Sequence, residues 1–238
     1  MAVPDTADAR REVLTEVYRE ARACMRCPQL AQTRIQVVFG AGNADADVMF
    51  VGEAPGADED RDGVPFVGRA GRLLTDLLAG IGIAREDVFI ANVLKCRPPE
   101  NRNPAAAEIA NCSEWLFRQL ELIQPTVVVT LGNFATKLLR ADQTPITRIR
   151  GQAEERVIGR RAVRLLPVLH PAAALYTPSN REVLAGDFAL IPGLIALGAP
   201  QQPGDEPPAP AAAPPEAPVP VPAAADPEHP ADSQLGLF

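Results

Sequence analysis

Three short apolar runs, at 47–51 (DVMFV), 87–93 (DVFIANV) and 126–131 (TVVVTL), each lead into a turn-rich segment and then a helical pattern. Runs that stay apolar at successive positions are buried on both faces. A strand achieves this inside a parallel sheet covered by helices. The intervening patterns repeat at helical period. Val13, Leu14 and Val17 share a face over 8–23, and Leu73, Leu74, Leu77 and Leu78 do so over 70–81. Pro104 suits the first turn of a helix running to about Ile123, and a shorter helix ends near Leu139. Residues 155–169 read as two further strands around the Gly159 turn, and 181–197 as a closing helix. Alternating strands and helices predict an α/β fold with a mostly parallel sheet and helices on both faces. In such sheets ligands sit at the carboxyl ends of the strands. The loops at 52–68, 95–104 and 170–180 fall there, which predicts one shared site.

The net charge of −7 at first argues against a polyanionic partner. It is unevenly placed, however. Residues 200–238 hold six acids and no Lys or Arg, leaving 24 acids against 23 bases in residues 1–199. A nearly neutral body can carry a basic groove, although it does not bind nucleic acid by charge alone. The segment 200–233 is rich in Pro and Ala and is expected to be a disordered linker, because it cannot bury enough apolar area to offset its ordering entropy. No stretch approaches the roughly 20 apolar residues of a membrane span, and the N-terminal residues have no apolar signal core. The expected setting is the cytoplasm, with reduced cysteines.

The four cysteines are spaced as Cys24-x2-Cys27, then Cys96, then Cys112 one helix-length on. The CxxC pair places two sulfurs close enough to share a metal. With Cys96 and Cys112 it forms a four-thiolate set suited to zinc or to a four-iron cluster. Spacing alone does not choose between them. Either would be structural, tying the N-terminal helix to the loop that carries Lys95 and Arg97.

The loop residues suggest a base-binding pocket. Gly52 and Gly56 flank Glu53, Ala54 and Pro55, where a ligand can approach the backbone. Phe66 offers an aromatic face on which a base can stack. Asn92, at the end of the second strand, presents a donor and an acceptor side by side. These match the O4/N3–H edge of uracil and are reversed against cytosine. His170, before Pro171, can donate to an oxygen on which negative charge develops.

The segments GEAPGADED (52–60), PFVGRAG (65–71), NVLKCRPPENRNP (92–104) and VLHPAAAL (168–175), with the CMRC pair and the helix start from Glu108 to Cys112, resemble the family 4 uracil-DNA glycosylases, which carry a four-iron cluster. The resemblance covers roughly residues 20–197. It implies a three-layer α/β/α sandwich around a four-stranded parallel sheet, and a uracil flipped out of DNA for hydrolysis of its N-glycosidic bond. Glu53, Ala54 and Pro55 would line the pocket, Phe66 would stack on the base, Asn92 would read its edge and His170 would bond O2. Glu53, or second Glu59, would position the water or stabilise a cationic sugar. Cys24, Cys27, Cys96 and Cys112 would hold a [4Fe-4S] cluster. Lys95, Arg97 and Arg102 would contact phosphates or brace the cluster loop, and Leu175 would wedge into the gap left in the DNA. The basic, His-containing insert of a related covalent branch is missing after the second strand, so turnover without covalent trapping is expected.

Residues 234–238 read QLGLF. The pattern resembles the peptide by which bacterial replication proteins bind the sliding clamp, with Gln234, Leu235, Leu237 and Phe238 as its anchors on a long tether. Nothing in the sequence suggests more than a monomer.

Overall fold

The computed structural model describes residues 3, 4 and 6–204. Six strands form one mixed sheet: β1 (Ala41–Gly42), β2 (Val48–Gly52), β3 (Phe89–Asn92), β4 (Val127–Leu131), β5 (Glu154–Ile158) and β6 (Arg161–Val168), in the order β1-β3-β2-β4-β6-β5. The expected four-stranded sheet is therefore corrected to six. The four inner strands β3, β2, β4 and β6 run parallel, and each edge adds an antiparallel strand. β5 returns from the Gly159 turn (φ +61°) onto β6. β1 is only two residues long and has no hydrophobic signature that a sequence pattern could register.

Among the described residues there are ten α-helices: α1 (Ala7–Arg22), α2 (Pro28–Thr33), α3 (Ala57–Asp62), α4 (Arg69–Gly80), α5 (Ala106–Ile123), α6 (Asn133–Arg140), α7 (Ile146–Ile149), α8 (Ala172–Tyr176), α9 (Asn180–Phe188) and α10 (Ile191–Ala196). Pleating divides the core in two. Met49, Val51, Ala91, Val128 and Leu165 face Leu14, Val17, Trp115, Leu116 and Leu120 on one side. Val48, Phe50, Ile90, Val129 and Leu166 face Leu73, Leu74, Leu78, Leu184 and Phe188 on the other. The result is three layers, with the doubly buried strands that the apolar runs predicted.

Two helix boundaries differ from the sequence pattern. The helix expected over 181–197 breaks into α9 and α10, because Pro192 falls in the first turn of α10. There its ring excludes continuation from the preceding turn. α5 starts at Ala106 rather than at Pro104, where the Glu108 carboxylate accepts from the Ala105 amide at 2.8 Å and closes the first turn. No helix among the described residues is long and apolar enough to cross a membrane.

The first turn of α4 lies directly on the backbone of Phe66. A Cβ on Gly71 would stand 1.8 Å from the Phe66 carbonyl oxygen. Gly71→Ala is therefore expected to destabilise the protein by about 1–3 kcal/mol through overpacking. Denaturant unfolding beside the wild type checks this, and equal midpoints would refute the contact.

Candidate active site

The carboxyl ends of β2, β3 and β6 open into one cavity of about 540 Å³. Glu53, Ala54 and Pro55 reach it from the end of β2, Asn92 from β3 and His170 from just beyond β6. Glu59 on α3 and Phe66 on the following loop complete that side. All seven residues that sequence reasoning assigned to base binding or catalysis thus line the same space.

Glycine makes the approach close enough. In the parallel register Gly52 stands opposite Asn92. A Cβ there would lie 2.3 Å from Asn92 Oδ1 and 2.7 Å from the Phe66 ring. Phe66 adopts φ +54°, an unusual backbone for an aromatic residue. Its ring stacks at 5.6 Å and 30° on His170. Asn92 is buried, and its Oδ1 has no hydrogen-bond partner among the described residues. A buried acceptor left unpaired costs about 1–3 kcal/mol, so a ligand that donates to it is favoured.

Burial sets the protonation states. His170 keeps some exposure toward the cavity, yet the enclosing protein pulls its pKa down to about 4, with the nearby Glu59 charge opposing. The ring is neutral near pH 7. Its Nδ1 accepts from the Ala172 amide at 3.1 Å, which leaves the proton on Nε2. Desolvation also raises the Glu53 carboxyl above its ordinary range. Glu59 is bonded to the backbone of both loops. One oxygen accepts from Gly56 N at 3.0 Å, and the other accepts from Val67 N and Gly68 N at 3.1 Å each. Its carboxylate joins the two loops that wall the cavity.

Two further groups depart from the expected picture. Lys95 is 1% exposed, so the expectation that it touches phosphates is corrected. It donates to Asn92 O and Gln119 Oε1 inside the molecule. Arg102 lines the cavity but is held by Glu108 at 2.6 and 2.9 Å, which ties the loop after β3 to the first turn of α5. Arg97 bonds Asn101 at 2.8 Å. On α8, Leu175 is 39% exposed. Its neighbour Tyr176, which sequence reasoning passed over, is 81% exposed and lines the cavity. The only available signal was an aromatic at the end of a small-residue run.

The four cysteines are free thiols. Cys24 and Cys27 lie between α1 and α2, Cys96 in the loop after β3 and Cys112 on α5. They are electrostatically coupled: Cys24 and Cys27 act on Cys96, while Cys27 and Cys96 act on Cys112. Burial raises the thiol pKa of Cys27 and Cys96, and takes Cys112 to about 11. Donors nonetheless point at the sulfurs. Lys95 N reaches Cys112 at 3.2 Å, Arg34 Nη1 reaches Cys96 at 3.1 Å and Asn111 Nδ2 reaches Cys27 at 3.7 Å. Sulfurs that burial disfavours as lone thiolates, yet that receive N–H donors, fit an iron–sulfur group whose metal supplies the compensating charge. Among the described residues, no three Cys, His, Asp or Glu side chains close as the ligands of a single metal ion. Residues 234–238 lie outside the described residues.

Residues 39–187 match the family model described as the uracil DNA glycosylase superfamily. A type-4 uracil-DNA glycosylase of Archaeoglobus fulgidus is 47% identical over 184 residues, covering 76% of this chain and 92% of the relative. Type-4 uracil-DNA glycosylases of Sulfurisphaera tokodaii and Saccharolobus solfataricus are 44% and 47% identical, over 75% and 71% of this chain and 83% and 80% of their own lengths. With the cavity at the strand ends and the match spanning most of the chain, the protein belongs to the uracil DNA glycosylase superfamily and, within it, to the type-4 uracil-DNA glycosylases.

Proposed function

We propose that this chain excises uracil from DNA, flipping the nucleotide into the cavity and hydrolysing its N-glycosidic bond to leave an abasic site that initiates base excision repair. The observation that carries the reading is the buried, unpartnered Oδ1 of Asn92 beside a stacked aromatic and a neutral histidine. Uracil N3–H donates to Oδ1 and the Asn92 Nδ2 donates to O4. Cytosine places a lone pair at N3 and an amino group at C4, so both contacts become repulsive. Phe66 stacks on the ring, and Ala54 and Pro55 close its edge.

In the reaction the C1′–N1 bond breaks and its electron pair passes to N1 and O2. His170 Nε2–H donates to O2 as that charge develops. A neutral donor is suitable because the leaving uracil anion is stabilised without a proton being transferred. A water oxygen bonds to C1′ and gives its proton to Glu53, whose carboxylate also faces the cationic sugar. Glu59 has both oxygens committed to backbone amides and serves as a positioning residue. Arg97 and Arg102, on the loop after β3, would contact phosphates or brace that loop. The Leu175–Tyr176 turn supplies the apolar surface that fills the vacated stack. No residue is assigned to covalent capture.

Cys24, Cys27, Cys96 and Cys112 would hold a [4Fe-4S] cluster, supported by the donor set around the sulfurs and by the type-4 likeness. Its part is structural, joining α1–α2, the loop after β3 and α5. We further propose a monomer working in the cytoplasm, with Gln234, Leu235, Leu237 and Phe238 docking on a sliding clamp.

On a single-uracil oligonucleotide followed by alkali, wild type is expected to give strand scission that is absent with a thymine control. His170→Ala should lower the rate about 10²–10³-fold, and Asn92→Ala roughly tenfold to a hundredfold. No scission by cluster-loaded wild type would refute the activity. Below neutrality the rate is expected to fall as Glu53 protonates, at a pH above the ordinary glutamate range, while His170 stays neutral until about pH 4. Glu53→Gln should be slower by about 10²–10⁴-fold and lack that acid limb. A limb that persists would assign it to another group. Deleting 234–238 should abolish clamp capture in a pull-down and leave oligonucleotide cleavage intact. Retained capture would sink the clamp assignment.

A further inference from the structure

Lys95 is enclosed between the sheet and α5, where an ammonium is costly to bury unless its protons are bonded. Its Nζ donates to the Asn92 carbonyl oxygen at 2.9 Å and to Gln119 Oε1 at 2.6 Å. Gln119 Nε2 in turn donates to the Phe39 carbonyl at 2.9 Å. The Phe39 ring lies 5.8 Å from the ammonium. A chain of bonds therefore runs from the strand end that carries Asn92 to the middle of α5.

The sheet explains why that carbonyl needs a partner. β2 pairs with β3 as far as Gly52 and Asn92, and the ladder continues through Val93 N to Gly52 O and Leu94 N to Glu53 O. On the opposite flank β1 covers only Phe89 and Ile90. Asn92 thus lies beyond the reach of β1, and the Lys95 ammonium takes the place of a missing strand. The peptide plane after Asn92 is held from one side by β2 and from the other by Lys95.

We propose that Lys95 is a positioning residue for Asn92: through the Asn92 carbonyl, and anchored by Gln119, it fixes the direction in which the Asn92 amide enters the cavity. The inference rests on the reading that Asn92 recognises uracil. An amide free to rotate about a loosened strand end would present its donor and acceptor in more than one direction. The cost would fall on the step in which the base edge must be correctly met, and not on DNA binding.

The test uses full-length, cluster-loaded protein with Lys95→Met and Gln119→Met, which keep side-chain bulk and remove the bonds. Steady-state kinetics on a single-uracil oligonucleotide and inhibition by free uracil are measured beside visible absorbance and thermal melting. For Lys95→Met, kcat is expected to fall about tenfold or more, as for loss of a bond to a charged group, with KM within about twofold. Free uracil should inhibit correspondingly less well. Gln119→Met should move both readouts in the same direction by a smaller factor, because the ammonium can still reach Asn92. Wild-type kcat and uracil inhibition in folded, cluster-loaded Lys95→Met would overturn the proposal. If that variant does not load or fold, Gln119→Met decides, and wild-type values there overturn it. Absence of excision by the wild type would instead refute the glycosylase reading, so the two failures are distinct.

Discussion

Parallel pairing of β2 with β3 sets Gly52 opposite Asn92, and the missing side chain at Gly52 leaves a space that Asn92 Oδ1 and the Phe66 ring occupy together. Much else follows from that close approach. Phe66 must take a positive φ to bring its ring over the gap. Gly71 must be bare for α4 to pass beneath the Phe66 backbone. Glu59 must gather the amides of Gly56, Val67 and Gly68 to hold the two loops at this distance. The cavity wall is a set of mutually dependent backbone positions, with side chains supplying the chemistry on top.

Removal of water acts on Glu53, His170 and Lys95 with different outcomes according to the partners available. Glu53, without a charged partner, is raised. His170 is lowered and kept as a neutral donor by the Ala172 amide on its other nitrogen. Beneath the site, Lys95 is lowered to about 7 by burial, while the Cys112 and Cys96 charges oppose the shift. The same low-dielectric interior raises the cysteine thiols, so the ammonium and the thiolates favour one another's charged forms. The cysteines and the cavity share one stretch of chain, from Asn92 to Cys96.

Much of this was legible in the sequence because the relevant signals are local. The apolar runs at 47–51 and 126–131 match the strand cores within a residue or two, and glycines at strand ends marked the loops. Asn92 and His170 were found because each pairs a distinctive chemistry with a strand end, whereas the roles of Ala54, Pro55 and Glu59 came from the family resemblance of the loops that carry them. What the sequence did not reveal depended on long-range neighbours. β1 is too short to carry a pattern, so the sheet gained an edge. The break between α9 and α10 was signalled by Pro192, but the apolar residues around it sustained a helical period. Lys95 looked like a phosphate contact because lysine is usually exposed. The Asn92 carbonyl together with Gln119, 24 residues away, makes its burial tolerable. Tyr176 was hidden by proximity to Leu175, since sequence spacing does not tell which of two neighbours turns outward.

The carboxylate of Glu59 spans the two loops through three backbone bonds before any ligand arrives. The two loops are thus joined to each other by the protein's own bonds, which leaves less protein ordering to be driven by binding. Under the proposed flipping mechanism the conformational work then falls on the nucleic acid. On that mechanism the cost of recognition is set by how easily a nucleotide leaves its stack, which is lowest in single strands and mispairs. A receptor working in the proposed way sorts targets by the mechanics of the polymer first and by the edge of the base second.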